Sequence, residues 1–341
     1  MDAKETLDAL LKRNRELEKA AGPGANNHVP MVLIALYGMG GGSERMIRYQ
    51  ASFDRRIQTA RTGPADLAHI TREDWTRHLG RGEFESYVDF FDRWTREVPL
   101  DTVLGESVPV LMKGVCTEAY HALLRLGYAL DYGSREEAVS ALSYWASKFY
   151  PGPEFDCGSN PVEPEVFFAE IMASASGMQI EPVNSIDGRL LQVYACKAIA
   201  TQWTPIRISH PDSLAKITAL TMELFRQSQH FTLLHALTSC EALRHVLPYL
   251  KNPQQELSRY WHSVCAAFLT VQHSGFETGR DSIVTDGASW EDLLMQAVAS
   301  EEAMEHRIKL TYSCWLEFQR SHREGYRALA SREIRRASPF V

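Results

Sequence analysis

Polar and apolar positions along the chain follow the 3.6-residue period of a helix almost everywhere, and alternating strand patterns are nearly absent. Residues 3 to 20 carry Leu7, Leu10, Leu11 and Leu17 among charges, which predicts an amphipathic helix ending before Gly22-Pro23-Gly24. A short apolar helix follows, with Pro30 in its first turn, and stops at Gly40-Gly41-Gly42. Those glycines are not a phosphate loop, because no strand precedes them and no Gly-Lys-Ser/Thr follows. Helix resumes over residues 43 to 61. Between Asp74 and Trp94 a break at Leu79-Gly80-Arg81-Gly82 leads into the aromatic cluster Phe84, Tyr87, Phe90, Phe91 and Trp94. One helix is predicted from about Val108 to Leu130, and another from Arg135 to Phe149.

Residues 150 to 164, with four prolines and two glycines, form the clearest loop, and a second turn-rich patch spans Gly177 to Gly188. Helices are predicted at 189 to 202, 213 to 228, 230 to 247 and 253 to 273. A last loop, Ser274 to Ser289, leads into a long segment from about Trp290 to Ile334 that has no proline and only Gly325, and so reads as helix. No internal repeat of fixed period is present. The expected fold is one all-α domain over residues 1 to 341, although the loop at 150 to 164 could divide two halves.

A hydrophobic content of 45% and a charged content of 23% fit a globular chain able to bury a large core. A net charge of −7, with no basic run interleaved with aromatics, argues against nucleic acid or an acidic membrane surface as partner. The charged opening lacks the apolar core of a secretion signal, and the longest apolar run, Val29 to Met39, is too short to span a bilayer. The six cysteines (116, 157, 196, 240, 265 and 314) show no C-x-x-C spacing, so reduced thiols in a cytoplasmic protein are expected.

Twelve histidines raise the question of a metal. His306 and Lys309 lie three apart on the predicted last helix and share a face, a workable pair of donors if the lysine is not an ammonium. The strongest apolar stripe, Met304, Ile308, Tyr312 and Trp315, faces away from His306, so periodicity favours a core helix with His306 and Lys309 on its outer side. The small or apolar neighbours Ala303, Leu310, Ser313 and Cys314 argue against a fully wet face. His235 lies in an almost wholly apolar helix, where an unpaired imidazole costs on the order of 1–3 kcal/mol. Thr238 or Ser239 could satisfy it, so a core histidine and a ligand stand level. His121 shares a polar stripe with Glu118, Arg125 and Tyr128 that faces solvent or lines a pocket, solvent being favoured. His28 sits at a helix start. His69, His78, His210, His230, His245, His262, His273 and His322 read as surface residues or as neighbours of a site. Glu118 and His121 have the Glu-x-x-His spacing of a di-iron bundle, but no second copy exists. H-E-x-x-H, G-x-S-x-G, G-x-G-x-x-G and C-x-x-C-H are absent from the contexts that would give them meaning.

Four stretches taken in order resemble the questin oxidase-like family. They are Asn27-His28-Val29-Pro30-Met31 with Ala35 to Gly40; Tyr120-His121 to Tyr128; Phe231 to Ser239, containing His235, with Ala242-Leu243-Arg244; and His306-Arg307-Ile308-Lys309-Leu310-Thr311-Tyr312. Trp75 to Phe91 is similar as well, and the resemblance runs from about residue 25 to residue 320. It implies an oxygen-using enzyme acting on aromatic polyketides, with one non-haem Fe(II) held by His28, His121, His235, His306 and a carboxylated Lys309. Imidazoles suit Fe(II), and a lysine carbamate supplies an anionic oxygen donor. The expected partner is a small aromatic substrate, with dioxygen as co-substrate. Tyr37, Tyr128, Trp145 and Trp203 are candidate pocket aromatics by type. Dioxygenation, Baeyer–Villiger-type insertion and NADPH-dependent monooxygenation stay open, as does oligomeric state. The rival readings are a helical ligand-binding or scaffold protein of the same fold, and a zinc hydrolase using the same cage.

Overall fold

The computed structural model describes residues 1–21, 28–56, 67–155, 160–207, 213–272, 287–300 and 304–336. Within them the chain is helical: α1 (Ala3–Ala21), α2 (Val29–Gly38), α3 (Ser43–Arg56), α4 (Phe84–Glu97), α5 (Leu100–Leu111), α6 (His121–Tyr132), α7 (Arg135–Lys148), α8 (Pro164–Ser174), α9 (Ile186–Ala195), α10 (Ser213–Ser228), α11 (Phe231–Val246), α12 (Pro253–Gln272), α13 (Trp290–Ala299), α14 (Glu305–Ser321) and α15 (Glu324–Arg335). Short 3-10 turns lie at Trp75–His78, Met112–Gly114 and Leu247–Tyr249. A lone parallel bridge between Val162 and Ile206 is the only β pairing among the described residues. No helix among them is long and apolar enough to cross a membrane.

Local chemistry sets several of these boundaries. Pro30 opens α2, where its missing N–H costs nothing. The Ser134 hydroxyl accepts from the Glu137 amide to start α7, with Glu136 and Glu137 at the positive end. Gly133, at φ 79, ends α6 in the left-handed conformation that glycine adopts without penalty. Ser289 and Asp292 form a reciprocal capping box at α13.

The architecture is an inner ring of four helices inside a shell. Helix α2 packs on α6, α6 on α11, α11 on α14, and α14 back on α2. Two glycines permit close approach within the ring. A Cβ on Gly127 of α6 would lie 2.4 Å from the Ala242 Cα of α11, and one on Gly38 of α2 would lie 2.5 Å from the Tyr312 ring of α14. Outside the ring, α1 and α3 cover α2, α7 covers α6, α10 and α12 cover α11, and α13 and α15 cover α14. One cluster of buried apolar side chains runs through all of these, from Leu7 to Ala330. Because the inner helices are covered on most sides, their sequences are apolar nearly all round; every residue of α2 from Val29 to Leu36 is buried.

Three sequence expectations are corrected here. The helix expected from Val108 to Leu130 is two, α5 and α6, separated by a turn with an unusual backbone. The long helix from Trp290 to Ile334 is three, and His322 closes α14 at φ 52. The helix expected over 189 to 202 starts at Ile186 and ends at Ala195, and α8 lies where no element was expected. The expected turn at Gly22-Pro23-Gly24, Asn27 beside His28, and nearly all of the loop at 274 to 289 lie outside the described residues. Among the described residues, cysteines 116, 196, 240, 265 and 314 are free thiols, as expected; Cys157 lies outside them.

Candidate metal centre

Each inner helix brings one imidazole to a common point, and each does so near its N-terminus. His28 is the residue before α2, His121 opens α6, His306 is the second residue of α14, and His235 is one turn into α11. Their ring centroids form a closed four-sided figure: His28 to His121 4.6 Å, His121 to His235 4.7 Å, His235 to His306 5.0 Å and His306 to His28 4.7 Å. The diagonal from His121 to His306 is 6.5 Å. Candidate ligand atoms of His28, His121 and His306 all lie within 4.8 Å of one another. The Lys309 Nζ, with 0% of the residue exposed, sits 3.5 Å from His121 Nε2.

The hydrogen bonds fix which nitrogen faces inward. His121 Nδ1 donates to the Glu118 carbonyl at 2.5 Å, and His235 Nδ1 donates to the Phe231 carbonyl at 2.8 Å. A carbonyl can only accept, so both rings are Nδ1–H tautomers with an unprotonated Nε2. His28 Nδ1 meets the Glu305 carboxylate at 2.5 Å, with the same consequence. Nε2 of His235 and of His306 are buried with no hydrogen-bond partner. Buried polar atoms left unpaired cost about 1–3 kcal/mol each, so two unpartnered imidazole nitrogens in one cluster read as ligand atoms. The residues present therefore fit a metal ion.

Electrostatics agree. Burial, then the Lys309 charge, hold His121, His235 and His306 well below the ordinary imidazole range, so all three are neutral and ligand-competent at pH 7. Burial brings Lys309 down to about 7, with Glu305 alone pulling it back up, so much of the amine is uncharged at neutral pH. Four helix starts meeting at one place present partial positive charge, which disfavours protonated donors and favours an anion. Glu305, in the first turn of α14, supplies one negative charge at this point.

His121 is aimed by a strained connection. Glu118, Ala119 and Tyr120, which are neither glycine nor asparagine, adopt φ values of 53, 54 and 66 in succession immediately before it. Left-handed backbone costs roughly 1–2 kcal/mol per residue, so the turn stores on the order of 3–6 kcal/mol. One turn along α6, the Arg125 guanidinium is buried between two carboxylates. It donates to both oxygens of Glu18 at 2.7 and 2.8 Å and to Glu137 at 2.5 Å.

All five residues expected as ligands are thus brought together. The favoured outer-face reading of His306 and Lys309 is corrected, since Lys309 is fully buried. So is the solvent reading of the His121 stripe, because His121, Arg125 and Tyr128 are all buried. His235 is satisfied by the Phe231 carbonyl and not by Thr238 or Ser239, whose hydroxyls bond backbone carbonyls of their own helix. His262 is buried too, donating to Thr204 and stacked on Phe167. The aromatics expected by type lie elsewhere: Tyr37 against Tyr132, Tyr128 on Tyr312, Trp145 bonded to the Gly114 carbonyl, and Trp203 beside Tyr194. Among the described residues, the Phe231 ring touches the cluster, 4.5 Å from His235 and 4.6 Å from His306. Phe231 and Glu305 were missed, although each is a near neighbour in sequence of a histidine already singled out. Both are half-buried, like His306, whereas His28, His121, His235 and Lys309 are buried.

A protein-family model described as Questin oxidase-like matches residues 25–314, most of the chain and all five of these residues. No curated protein matches the chain.

Proposed function

The chain belongs to the questin oxidase-like family, and from that premise we propose that it is a non-haem iron-dependent oxygenase that uses dioxygen to oxidise or open a ring of an aromatic polyketide-like substrate. The observation that carries the reading is the closed figure of four imidazoles, with three tautomers fixed by hydrogen bonds and a buried amine 3.5 Å from one ring. His28, His121, His235 and His306 would hold the iron through Nε2, with Lys309 as fifth donor. Bound there, iron would supply the one-electron chemistry with dioxygen that protein side chains cannot.

Lys309 acts in this reading as a carbamate. Its neutral amine adds carbon dioxide and releases a proton, turning a base into an anionic oxygen donor. Two features support this: full burial, which strips an ammonium of its hydration and brings the amine near 7, and the convergence of helix starts that favours an anion. Glu305 holds the His28 proton on Nδ1 and adds a second negative charge to offset the metal. Phe231, itself half-buried, offers a flat apolar face suited to stacking an aromatic substrate and keeping water off the reacting ring.

The test is metal analysis of protein purified without a histidine tag or chelator, with anomalous scattering at the iron edge from a crystal. One iron per chain between the four imidazoles, lost in Lys309→Ala, is the expected result. Full iron content in that variant removes Lys309 from the ligand set. Zinc at the site with turnover that needs no oxygen would overturn the oxygenase reading.

A further inference from the structure

We propose that Asp187 is a positioning residue for the metal centre: by holding the left-handed turn Glu118–Tyr120, it sets where His121 presents its Nε2. The proposal rests on the metal reading above and concerns a residue outside the cluster, 66 positions beyond His121.

The backbone supplies the first reason. A lone left-handed residue is tolerated at a turn, but three in succession without a glycine revert to right-handed helix unless something external holds them. Asp187 is placed to do so. Its Oδ2 accepts the Glu118 amide at 3.0 Å and its Oδ1 accepts the Ala119 amide at 2.7 Å. One carboxylate thus takes both donors that the reversed backbone turns outward, and right-handed helix would point these amides elsewhere.

The mount is firm. Asp187 lies in the first turn of α9, where the Ser185 hydroxyl caps the Gly188 amide at 3.0 Å. The same segment is gripped beside it: the Tyr150 hydroxyl donates to the Cys116 carbonyl at 3.0 Å, and the Tyr194 hydroxyl of α9 lies 3.0 Å from Cys116 Sγ. Burial pushes the Asp187 carboxyl up to about 6, so at neutral pH it is still chiefly the charged, acceptor-only form that two N–H donors require.

The turn reaches the metal site through one atom. The Glu118 carbonyl, carried by the first left-handed residue, accepts from His121 Nδ1 and so fixes both ring orientation and tautomer. When Asp187 is removed, the turn relaxes, that carbonyl swings away, and His121 loses its fixed tautomer.

The experiment compares wild type, Asp187→Ala and Asp187→Asn. Metal-free protein labelled with ¹⁵N-histidine reports the His121 tautomer by NMR, and anaerobic titration with Co(II) reports affinity. Circular dichroism checks that each variant is folded. Wild type should show a single Nδ1–H tautomer at His121. Asp187→Ala should show a mixture and bind Co(II) roughly 10- to 100-fold more weakly. Asp187→Asn, which keeps one carbonyl acceptor, should fall between them. If Asp187→Ala keeps the single tautomer and Co(II) affinity within about twofold of wild type, Asp187 is a structural anchor only and the proposal is overturned, whatever happens to the melting temperature. Should Asp187→Ala fail to fold, Asp187→Asn carries the same two readouts. Should wild type take up no Co(II), the metal reading fails, while the NMR comparison still decides the role of Asp187.

Discussion

A lysine held near pKa 7 in a buried cluster should weaken the metal-free protein, and replacing it should strengthen that protein while abolishing the site. Lys309 drops from 10.5 in the unfolded chain to about 7 in the folded one. Each unit is worth about 1.4 kcal/mol, so folding at pH 7 carries a penalty of roughly 4 kcal/mol for expelling the proton. Lys309→Met removes that penalty but leaves the His121 Nε2 lone pair without its neighbour, a loss of about 1–3 kcal/mol. The net expectation is a gain of about 1–3 kcal/mol in the metal-free protein. The pH dependence gives a second handle. Between pH 7 and 10.5 the unfolded chain binds a proton at this site and the folded chain does not, so wild-type stability rises with pH in that window. The Lys309→Met advantage should shrink by roughly 1.5 kcal/mol from pH 7 to 8.5. The assay is urea denaturation of chelator-treated protein in buffers freed of carbon dioxide, with metal uptake measured alongside. A variant that is less stable than wild type at pH 7, or an advantage that does not change with pH, would refute the reasoning.

Two further outcomes follow from the inner ring. Arg125→Met leaves Glu18 and Glu137 buried without their cation and should cost about 3–5 kcal/mol in denaturation midpoint measurements, most of it recovered when Glu18→Leu and Glu137→Leu are added. Gly127→Ala drives a methyl to 2.4 Å from the Ala242 backbone, and forcing the two covered helices apart should cost about 1–3 kcal/mol. The same variant should also weaken Co(II) binding, because it spreads the two helices that carry His121 and His235.

Periodicity located most of the helices and failed at informative places. The stripe argument assumes that a helix has one wet face. Helix α14 is packed by α2, α11, α13 and α15, so the face judged outer is only half-buried at His306 and holds the fully buried Lys309 one turn on. The same assumption misplaced the polar stripe of α6, whose His121, Arg125 and Tyr128 are all buried, Arg125 between carboxylates of α1 and α7. The break between α5 and α6 carries no glycine or proline after Gly114 to announce it, because what turns the chain there is a carboxylate on α9. The candidate ligand set was legible through the family resemblance more than through local pattern. Glu305 and Phe231 could have been found by asking what an imidazole at each helix start would have beside it.

The contact between His28 and Glu305 joins positions 277 residues apart. No early folding unit can therefore own the cluster: one corner arrives with α2, and the corner next to it exists only once α14 has docked against it. A ribosome-bound chain ending before residue 304 offers at most three imidazoles and no lysine. On the metal reading proposed above, loading would be a late event that reports complete assembly, and any shortened product lacking α14 would be left without His306 and Lys309 altogether.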